Sequence, residues 1–293
     1  MAKARAIVKR RKAVRNIRKI TKTMQMIATA KFQKALKRAV AAKPYTRKTR
    51  ELVSELAASV GDVDHPLLRQ IRPEEATKRI ALLVISSNRG LCGAYNGNVL
   101  RMATHYLRQQ VAEGKEVDLY LSGKKGVTYF NFQKRPITQR LDQFGDAAKF
   151  ADAAEVADTF IRRFTAHEVD AVYVAYMNFV SASTQKPEVL TLLPLAPVSS
   201  AGAPSKLAVY DFYPDPQSLL DELLPLTVKT TLFQCFLDAT TSENVARMVS
   251  MKSATDNADK MVKSLTMQYN RARQSQITTE LSEIMGGVEA MGG

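Results

Sequence analysis

The sequence is poor in the residues that most often build metal and redox sites. Its 293 residues include two cysteines, three histidines and no tryptophan. Cys92 and Cys235 lie far apart, and no pair of Cys or His residues has a spacing typical of zinc ligands. We therefore predict no metal site, and a reducing compartment is the default expectation for so few cysteines.

Long apolar runs are also absent. The longest uncharged run, residues 189–205, is interrupted by Pro194, Pro197 and Pro204, whereas a membrane-spanning helix needs about 20 apolar residues. The basic N-terminus lacks the apolar core of a secretory signal. Its apolar periodicity continues beyond the length of a transit peptide, so we interpret it as mature structure.

The first 50 residues contain no acidic residue. They hold 18 lysines and arginines, whereas the other 243 residues hold 25 basic and 28 acidic residues. The net charge of +15 therefore belongs to the N-terminal segment. Such a segment indicates a polyanionic partner: nucleic acid, an anionic membrane surface or acidic protein loops. Because like charges on one helix repel each other, we favour an acidic partner over plain solvation.

Glycine and proline are absent from two long stretches near the chain ends. Residues 1–43 and 226–285 lack both, and as unbroken helices they would reach roughly 65 and 90 Å. In each stretch apolar residues recur at steps of three and four, and the first stripe includes Ile17, Ile20 and Ile27. Because each helix must bury its stripe, we predict that the two pair as an antiparallel coiled coil.

Prolines mark the expected limits of these helices. Pro44 either kinks the first helix or opens a second one. Residues 216–225 are predicted to form a separate short helix, N-capped by Asp215, and the long C-terminal helix is predicted to begin near Leu226. Residues 199–216 are rich in Pro, Ser, Ala and Gly, which predicts a loop.

Between the two ends the periodicity changes. Residues 79–87 form a short β-branched apolar run that predicts a buried strand. Further strands are predicted at 117–123, 169–179 and 187–198, the last two as a hairpin, with helices at 99–111 and 147–166. This alternation predicts an α/β fold class. We divide the chain into an N-terminal coiled-coil helix at 1–60, an α/β domain at 76–198 and a C-terminal coiled-coil helix at 216–293.

A glycine loop follows the first strand. Its glycines at 90, 93 and 97 have the spacing of neither the dinucleotide-binding motif nor the P-loop, and neither does SGKKG at 122–126. A tight strand-to-helix turn explains the glycines. Cys92 in this loop has no histidine nearby in sequence to act as its base. We therefore predict no catalytic and no cofactor-binding residue.

Three motifs resemble one known family. The C-terminal MKSATDNA, YNRARQ and ITTELSEI, the N-terminal KITKTMQMIATAKFQKA and the loop NRGLCGAYN are similar, in order and spacing, to the gamma subunit of F-type ATP synthases. The resemblance covers nearly the whole chain, and residues 113–215 are its least diagnostic part. Asn88 stands where that family usually has Asp, and the paired cysteines of the chloroplast-type insertion are absent.

The resemblance implies a rotor. In that family the terminal helices form the central stalk inside a ring of alternating alpha and beta subunits, and a Rossmann-like α/β domain sits at the foot with the epsilon subunit on the c-subunit ring. Proton flow turns the stalk and drives ATP synthesis at the beta subunits. The implied location is the cytoplasmic face of the bacterial inner membrane, peripheral, with membrane association only through the complex and no catalysis by this chain alone.

The resemblance also implies contact residues. Met24 matches a position packed near an acidic beta loop, and polar contacts to a beta catch loop fall on Arg273, Gln274, Thr278 and Glu280. The glycine loop, with a structural or partner-contact role, comprises Arg89, Gly90, Leu91, Cys92 and Gly93. The almost uncharged end at 284–293 would suit a tip that turns in an apolar sleeve.

Two other functions fit parts of the sequence. A basic coiled coil could bind nucleic acid, although Phe32 and Tyr45 are the only aromatics in the basic stretch that could stack on bases. An α/β nucleotide enzyme could use the loop at 90–97. We favour the rotor, which binds no nucleic acid, over both.

Overall fold

The computed structural model describes residues 2–60, 65–69, 77–145, 148–195 and 216–292. Within these ranges the chain forms five helices and five strands, which alternate except that β5 follows β4 directly. In order they are α1 (Ala2–Val60), β1 (Arg79–Ile85), α2 (Tyr95–Ala112), β2 (Glu116–Ser122), α3 (Lys124–Phe132), β3 (Gln139–Leu141), α4 (Phe150–Thr165), β4 (Ala171–Phe179), β5 (Gln185–Leu193) and α5 (Pro216–Met291).

The chain forms two compact units. The first contains residues 1–30 and 247–293, and the second contains residues 31–246. Both long helices therefore contribute to both units. The predicted three-part division follows the order of helices and strands, whereas the units group segments that pack together, and that division stays a prediction.

The second unit is built on one sheet with the strand order β3-β2-β1-β4-β5. β1 pairs in parallel with β2 and β4, β2 pairs in parallel with β3, and β5 runs antiparallel to β4. The α/β prediction and the hairpin prediction are confirmed. The three-residue β3 was not predicted, because a strand this short carries no periodicity.

Both faces of this sheet are buried. Along β1, Ala81, Leu83 and Ile85 face a core shared with α4 and α5, and Leu82 and Val84 face a core shared with α2 and α3. Alternation of side chains along a strand produces these two faces. The apolar run of β1 after Arg79 is thus required, because helices cover the sheet on both sides.

Pro44 and Pro225 lie inside unbroken helices. α1 continues through Pro44, and α5 continues through Pro225. The prediction of a separate helix at 216–225 was therefore wrong. Its predicted cap Asp215 lies outside the described residues, and so does the predicted loop at 199–216 except for Pro216, the first residue of α5. A proline costs about one backbone hydrogen bond. Around it α5 buries side chains on one face, which hold the helix together: Leu220, Leu224, Val228 and Leu232.

The first unit is an antiparallel helix pair. On α1 the buried positions Val14, Thr21 and Ala28 recur every seven residues, and Ala258 and Leu265 do the same on α5. This heptad spacing is that of a coiled coil. The coiled-coil prediction is confirmed, but the predicted stripe was partly wrong, because Ile17, Ile20 and Ile27 are more than half exposed. No helix in the described ranges is long and apolar enough to cross a membrane.

Candidate functional site

The register of the helix pair follows from a few contacts. The Thr255 hydroxyl donates to Thr21 Oγ1 at 2.9 Å, and Arg18 forms a salt bridge with Asp259. Nearer the chain ends, the guanidinium of Arg11 lies 5.0 Å from the ring centroid of Tyr269. In each of these contacts the two residue numbers add up to between 276 and 280. The start of α1 therefore lies opposite about Gln276 of α5.

Beyond about Gln276, α5 therefore has no helix beside it in this unit. The remaining turns extend about 22 Å. Their apolar side chains are exposed by 47–71 %: Ile277, Leu281, Ile284, Met285 and Val288. At about 100° per residue, all but Met285 share one face roughly 60° wide. The tip thus carries a narrow apolar row that the described residues leave exposed.

The predicted polar contact residues flank this row on two sides. Arg273 and Glu280 lie within about 20° of each other around the helix, and Gln274 and Thr278 lie about 40° apart on the other flank. All four are exposed. The Thr278 hydroxyl donates to the Gln274 carbonyl at 3.0 Å, and the Gln276 amide donates to Glu280 Oε1 at 2.8 Å. The structure therefore separates them into two pairs roughly 130° apart.

Met24 lies on α1 beside the helix-pair seam. It is partly buried, whereas its row neighbours Ile20 and Ile27 are 59 % and 52 % exposed. Met24 therefore borders a second apolar row that does not belong to the seam. The predicted contact of Met24 with an acidic loop stays a prediction.

Exposed cations cover the rest of α1 in the first unit. The exposed set includes Arg10, Lys12, Arg15, Lys19 and Lys22. Arg18 meets the carboxylate of Asp259, while α1 itself supplies no acidic residue before Glu51. This surface produces a positive potential that would draw in an acidic partner.

The glycine loop is held by hydrogen bonds among its own side chains. Asn96 Oδ1 accepts from the Ser87 backbone N–H and hydroxyl at 3.0 Å, and Asn96 Nδ2 donates to Cys92 Sγ at 3.1 Å. Cys92 is 2 % exposed and Leu91 is 61 % exposed. Leu91 and Gly93 both have positive φ. The loop thus buries Cys92 as a packing residue and presents Arg89 and Leu91 on the surface.

The same region explains SGKKG without a ligand. A Cβ at Gly123 would lie 2.1 Å from the Ser86 carbonyl oxygen, and a Cβ at Gly126 would lie 2.8 Å from Ser86 Oγ. The Gly126 N–H donates to Ser86 Oγ at 2.9 Å. These glycines therefore allow α3 to approach the end of β1 closely, which explains them without a phosphate ligand.

Asn88 joins the glycine loop to two neighbouring segments. Its Nδ2 donates to the Phe144 carbonyl at 3.1 Å, and its Oδ1 accepts from the Lys124 N–H at 3.1 Å. An aspartate has no donor for the first bond. Sequence reasoning noted Asn88 as a departure from the family pattern but did not predict this role, because both partners are distant in sequence.

One carboxylate of the second unit is buried. Asp238 on α5 is 4 % exposed and accepts a hydrogen bond from Gln234 Nε2 at 3.0 Å. Burial raises the pKa of Asp238 to about 6, and the charge of Lys43 opposes that rise. In the part of the chain that the structure describes, no three His, Cys, Asp or Glu side chains cluster as metal ligands do.

Comparison with known proteins identifies the family. The family model described as ATP synthase matches residues 3–291. The ATP synthase gamma chain of Rhodopirellula baltica is 46% identical over 299 residues, covering 100% of both chains. That of Leptospira biflexa is 42% identical and covers 99% of this chain and 100% of its own.

Solved structures share the fold. The rotor of the Euglena gracilis mitochondrial ATP synthase aligns with a TM-score of 0.67 at 18% identity, covering 94% of this chain and 99% of that one. A central stalk and c-ring chain from Tetrahymena thermophila aligns with a TM-score of 0.55 over 80% of this chain and 99% of that one. The full-length match to the family model and to gamma chains of two bacteria shows that this chain belongs to the ATP synthase gamma chain family.

Proposed function

We propose that this chain is the central-stalk rotor subunit of an F-type ATP synthase. The observation that carries the proposal is the antiparallel helix pair of the first unit, from which α5 continues alone as an exposed apolar tip. A paired shaft resists twisting, because each helix is held along its length by the other. A tip without fixed ion pairs can turn inside an apolar sleeve without breaking and remaking salt bridges.

The rotor would work by mechanical coupling and not by its own catalysis. Proton flow through the membrane sector turns the c-subunit ring, the ring turns this chain, and the asymmetric shaft changes the nucleotide affinity of each beta subunit in turn. We place the chain with alpha, beta, epsilon and c subunits on the cytoplasmic face of the bacterial inner membrane. It would be peripheral there, bound only through the complex.

The two polar pairs that flank the apolar row would contact different neighbours. Because Arg273 and Glu280 lie roughly 130° around α5 from Gln274 and Thr278, one loop cannot easily reach all four. We propose that each pair meets a catch loop of a different beta subunit, and that Met24 faces an acidic beta loop. In the glycine loop, Arg89 and Leu91 are the side chains placed to meet a partner, while Gly90, Cys92 and Gly93 shape the loop.

Reconstitution tests the proposal. Mixed with the cognate alpha and beta subunits, the wild-type chain is expected to restore ATPase activity, and a bead attached to it should rotate during turnover. Arg273→Ala should lower the restored ATPase by roughly 10-fold, as expected for loss of a charged contact. The matched control is Lys263→Ala, which removes an exposed cation from the part of α5 that pairs with α1. Failure of the wild-type chain to restore any activity would overturn the proposal.

The isolated chain supplies a second test. Because Ser86 and the Ser87–Asn96 network fill the loop, magnesium ATP should leave its melting temperature unchanged, whereas a nucleotide enzyme would be stabilised. Steeply salt-dependent binding of DNA or RNA at physiological ionic strength would favour the nucleic-acid alternative. No observation of the structure or the family favours either alternative.

A further inference from the structure

A second surface, unrelated to the helix tip, carries an exposed aromatic ring among cations. Phe132, at the end of α3, is 86 % exposed, more than any other large apolar side chain in the described ranges. An isolated exposed apolar residue needs no explanation by itself. Its charged surroundings distinguish it.

The charged residues that neighbour Phe132 along the chain are all basic. Between Asp118 and Asp142 the chain contains five cations and no acidic residue: Lys124, Lys125, Lys134, Arg135 and Arg140. Among the described residues none of the five takes part in a salt bridge. Asp118 is engaged by Arg163 at 2.7 Å. The positive charge is therefore not neutralised within the described structure.

The fold itself does not favour this charge. Lys124 and Lys125 are the first two residues of α3, where the helix dipole favours acidic side chains and disfavours cations. Lys134 follows the helix with φ 54°, a conformation that glycine adopts at lower cost. Three lysines thus occupy positions that other residues would fill more stably, so their placement points to a partner.

The exposed side chains lie on one face. At about 100° per residue, Lys124, Lys125, Thr128 and Phe132 fall within roughly 100° of the α3 circumference. The buried Gly126 and Phe130 lie opposite. Arg140, on the short edge strand β3 that follows α3 in the chain, is also exposed.

We propose that Lys124, Lys125, Phe132, Lys134 and Arg140, here called the α3 face, dock an acidic protein surface with an apolar pocket for the Phe132 ring. A buried aromatic anchor inside a rim of complementary charge is how tight protein contacts are built. Single-stranded nucleic acid would instead need a series of stacking aromatics, and this face has one. The identity of the partner as another subunit of the complex rests on the proposed function.

The test uses the assembled complex. Complexes carrying Phe132→Ser, or the double variant Lys124→Glu and Lys125→Glu, are washed at increasing salt, and each subunit is quantified by native mass spectrometry. We expect each variant to release one subunit at a salt concentration where the wild-type complex keeps it, with an affinity lowered roughly 10-fold or more. Arg101→Glu with Arg108→Glu on the exposed part of α2 is the matched control and should release nothing.

The double variant also excludes misfolding as the cause. Glutamates at the first turn of α3 favour the helix dipole, so its melting temperature should be equal to or above that of the wild-type chain. If both variants keep every subunit at the salt concentrations at which the wild-type complex does, the proposed docking by the α3 face is wrong. It is also wrong if the variants lose DNA or RNA binding while they retain all subunits. If the wild-type chain fails to restore ATPase, the proposed function fails instead, which is a separate result.

Discussion

Asp238 is a buried carboxyl group whose ionisation the fold opposes. It faces Lys43 of α1 and Glu188 of β5, and burial raises its pKa from 3.8 to about 6. The folded state therefore binds the proton more tightly than the unfolded state. The destabilising effect of the Asp238 charge is absent below about pH 4, grows as the pH rises toward 6 and is complete above that.

Replacing the charge should recover this free energy. Asp238→Asn keeps the acceptor for Gln234 and removes the buried charge, so we expect it to raise the free energy of unfolding at pH 8 by about 2 kcal/mol. The gain should shrink toward pH 4, and urea unfolding at several pH values measures it. Asp142→Asn, an exposed carboxylate, should change nothing. A variant that is less stable than the wild type at pH 8 would show that the attraction to Lys43 outweighs burial.

Asn88→Asp tests the bridge between the glycine loop and its neighbours. The carboxylate oxygen and the Phe144 carbonyl would both be acceptors and would repel each other. Because Asn88 is exposed, this should cost about 1 kcal/mol of unfolding free energy. A protonated carboxyl can donate that bond, so the loss should diminish at pH 5. Thermal melts at the two pH values check this, with the exposed Asn131→Asp as control. An equal loss at both pH values contradicts the hydrogen-bond explanation.

Residue roles were only partly predictable from sequence. The positions of Arg273, Gln274, Thr278 and Glu280 came from motifs, but their separation into two flanks needs the phase of the helix relative to its partner. The function of Gly123 and Gly126 as spacers for Ser86 also escaped prediction, because the contact joins the end of β1 to α3, some 40 residues apart.

The Thr21–Thr255 contact belongs to the scale of the helix pair. The Thr255 hydroxyl donates to Thr21, and the Thr21 hydroxyl donates to the Arg18 carbonyl at 3.1 Å. A satisfied polar layer inside a coiled coil fixes register, because every other register leaves the hydroxyls facing apolar neighbours. A double-mutant cycle with Thr21→Val and Thr255→Val should give a coupling free energy of about 1 kcal/mol. Strictly additive effects would argue against a paired layer.

The tip of α5 should be the least stable part of that helix. Gly286 and Gly287 lie inside it with open space where a Cβ would stand, and each glycine costs about 1 kcal/mol relative to alanine. Gly286→Ala with Gly287→Ala should therefore slow hydrogen exchange of the tip amides by roughly 10-fold or more. Exchange at 251–265 serves as the internal control and should not change. An unchanged tip would mean that it is not helical in the isolated chain.

Elements were easier to predict than the faces that they bury. Length and the absence of glycine predicted both long helices. The seam did not follow apolarity, because close-packed helices select small side chains such as Ala28 and Ala258, while the larger Ile17, Ile20 and Ile27 point elsewhere. Pro225 misled the prediction of a helix end, since local propensity cannot weigh the buried face on either side of it.

At the scale of the whole molecule, the two units differ in the cores that hold them. The first unit has a small core cluster of Val14, Ala258 and Leu265, with Ile7 and Val262 packed against it, and Ala28 and Met251 are also buried. The second unit has two large clusters, one on each face of the sheet. Because free energy of folding scales with buried apolar area, we expect the first unit to open before the second.

Leu265→Ala should separate the two openings. It leaves a cavity in the small core and should lower the local stability by about 2–4 kcal/mol, so amides of α1 before Ala30 and of α5 after Arg247 exchange faster. Amides of β1 and β4 should keep wild-type exchange rates, since their protection depends on the other core. Met267→Ala, 67 % exposed on the same helix, is the control that should alter neither unit. Equal acceleration in the sheet would mean that the chain unfolds as one cooperative whole, so that the shaft could not loosen while the α/β unit stays folded.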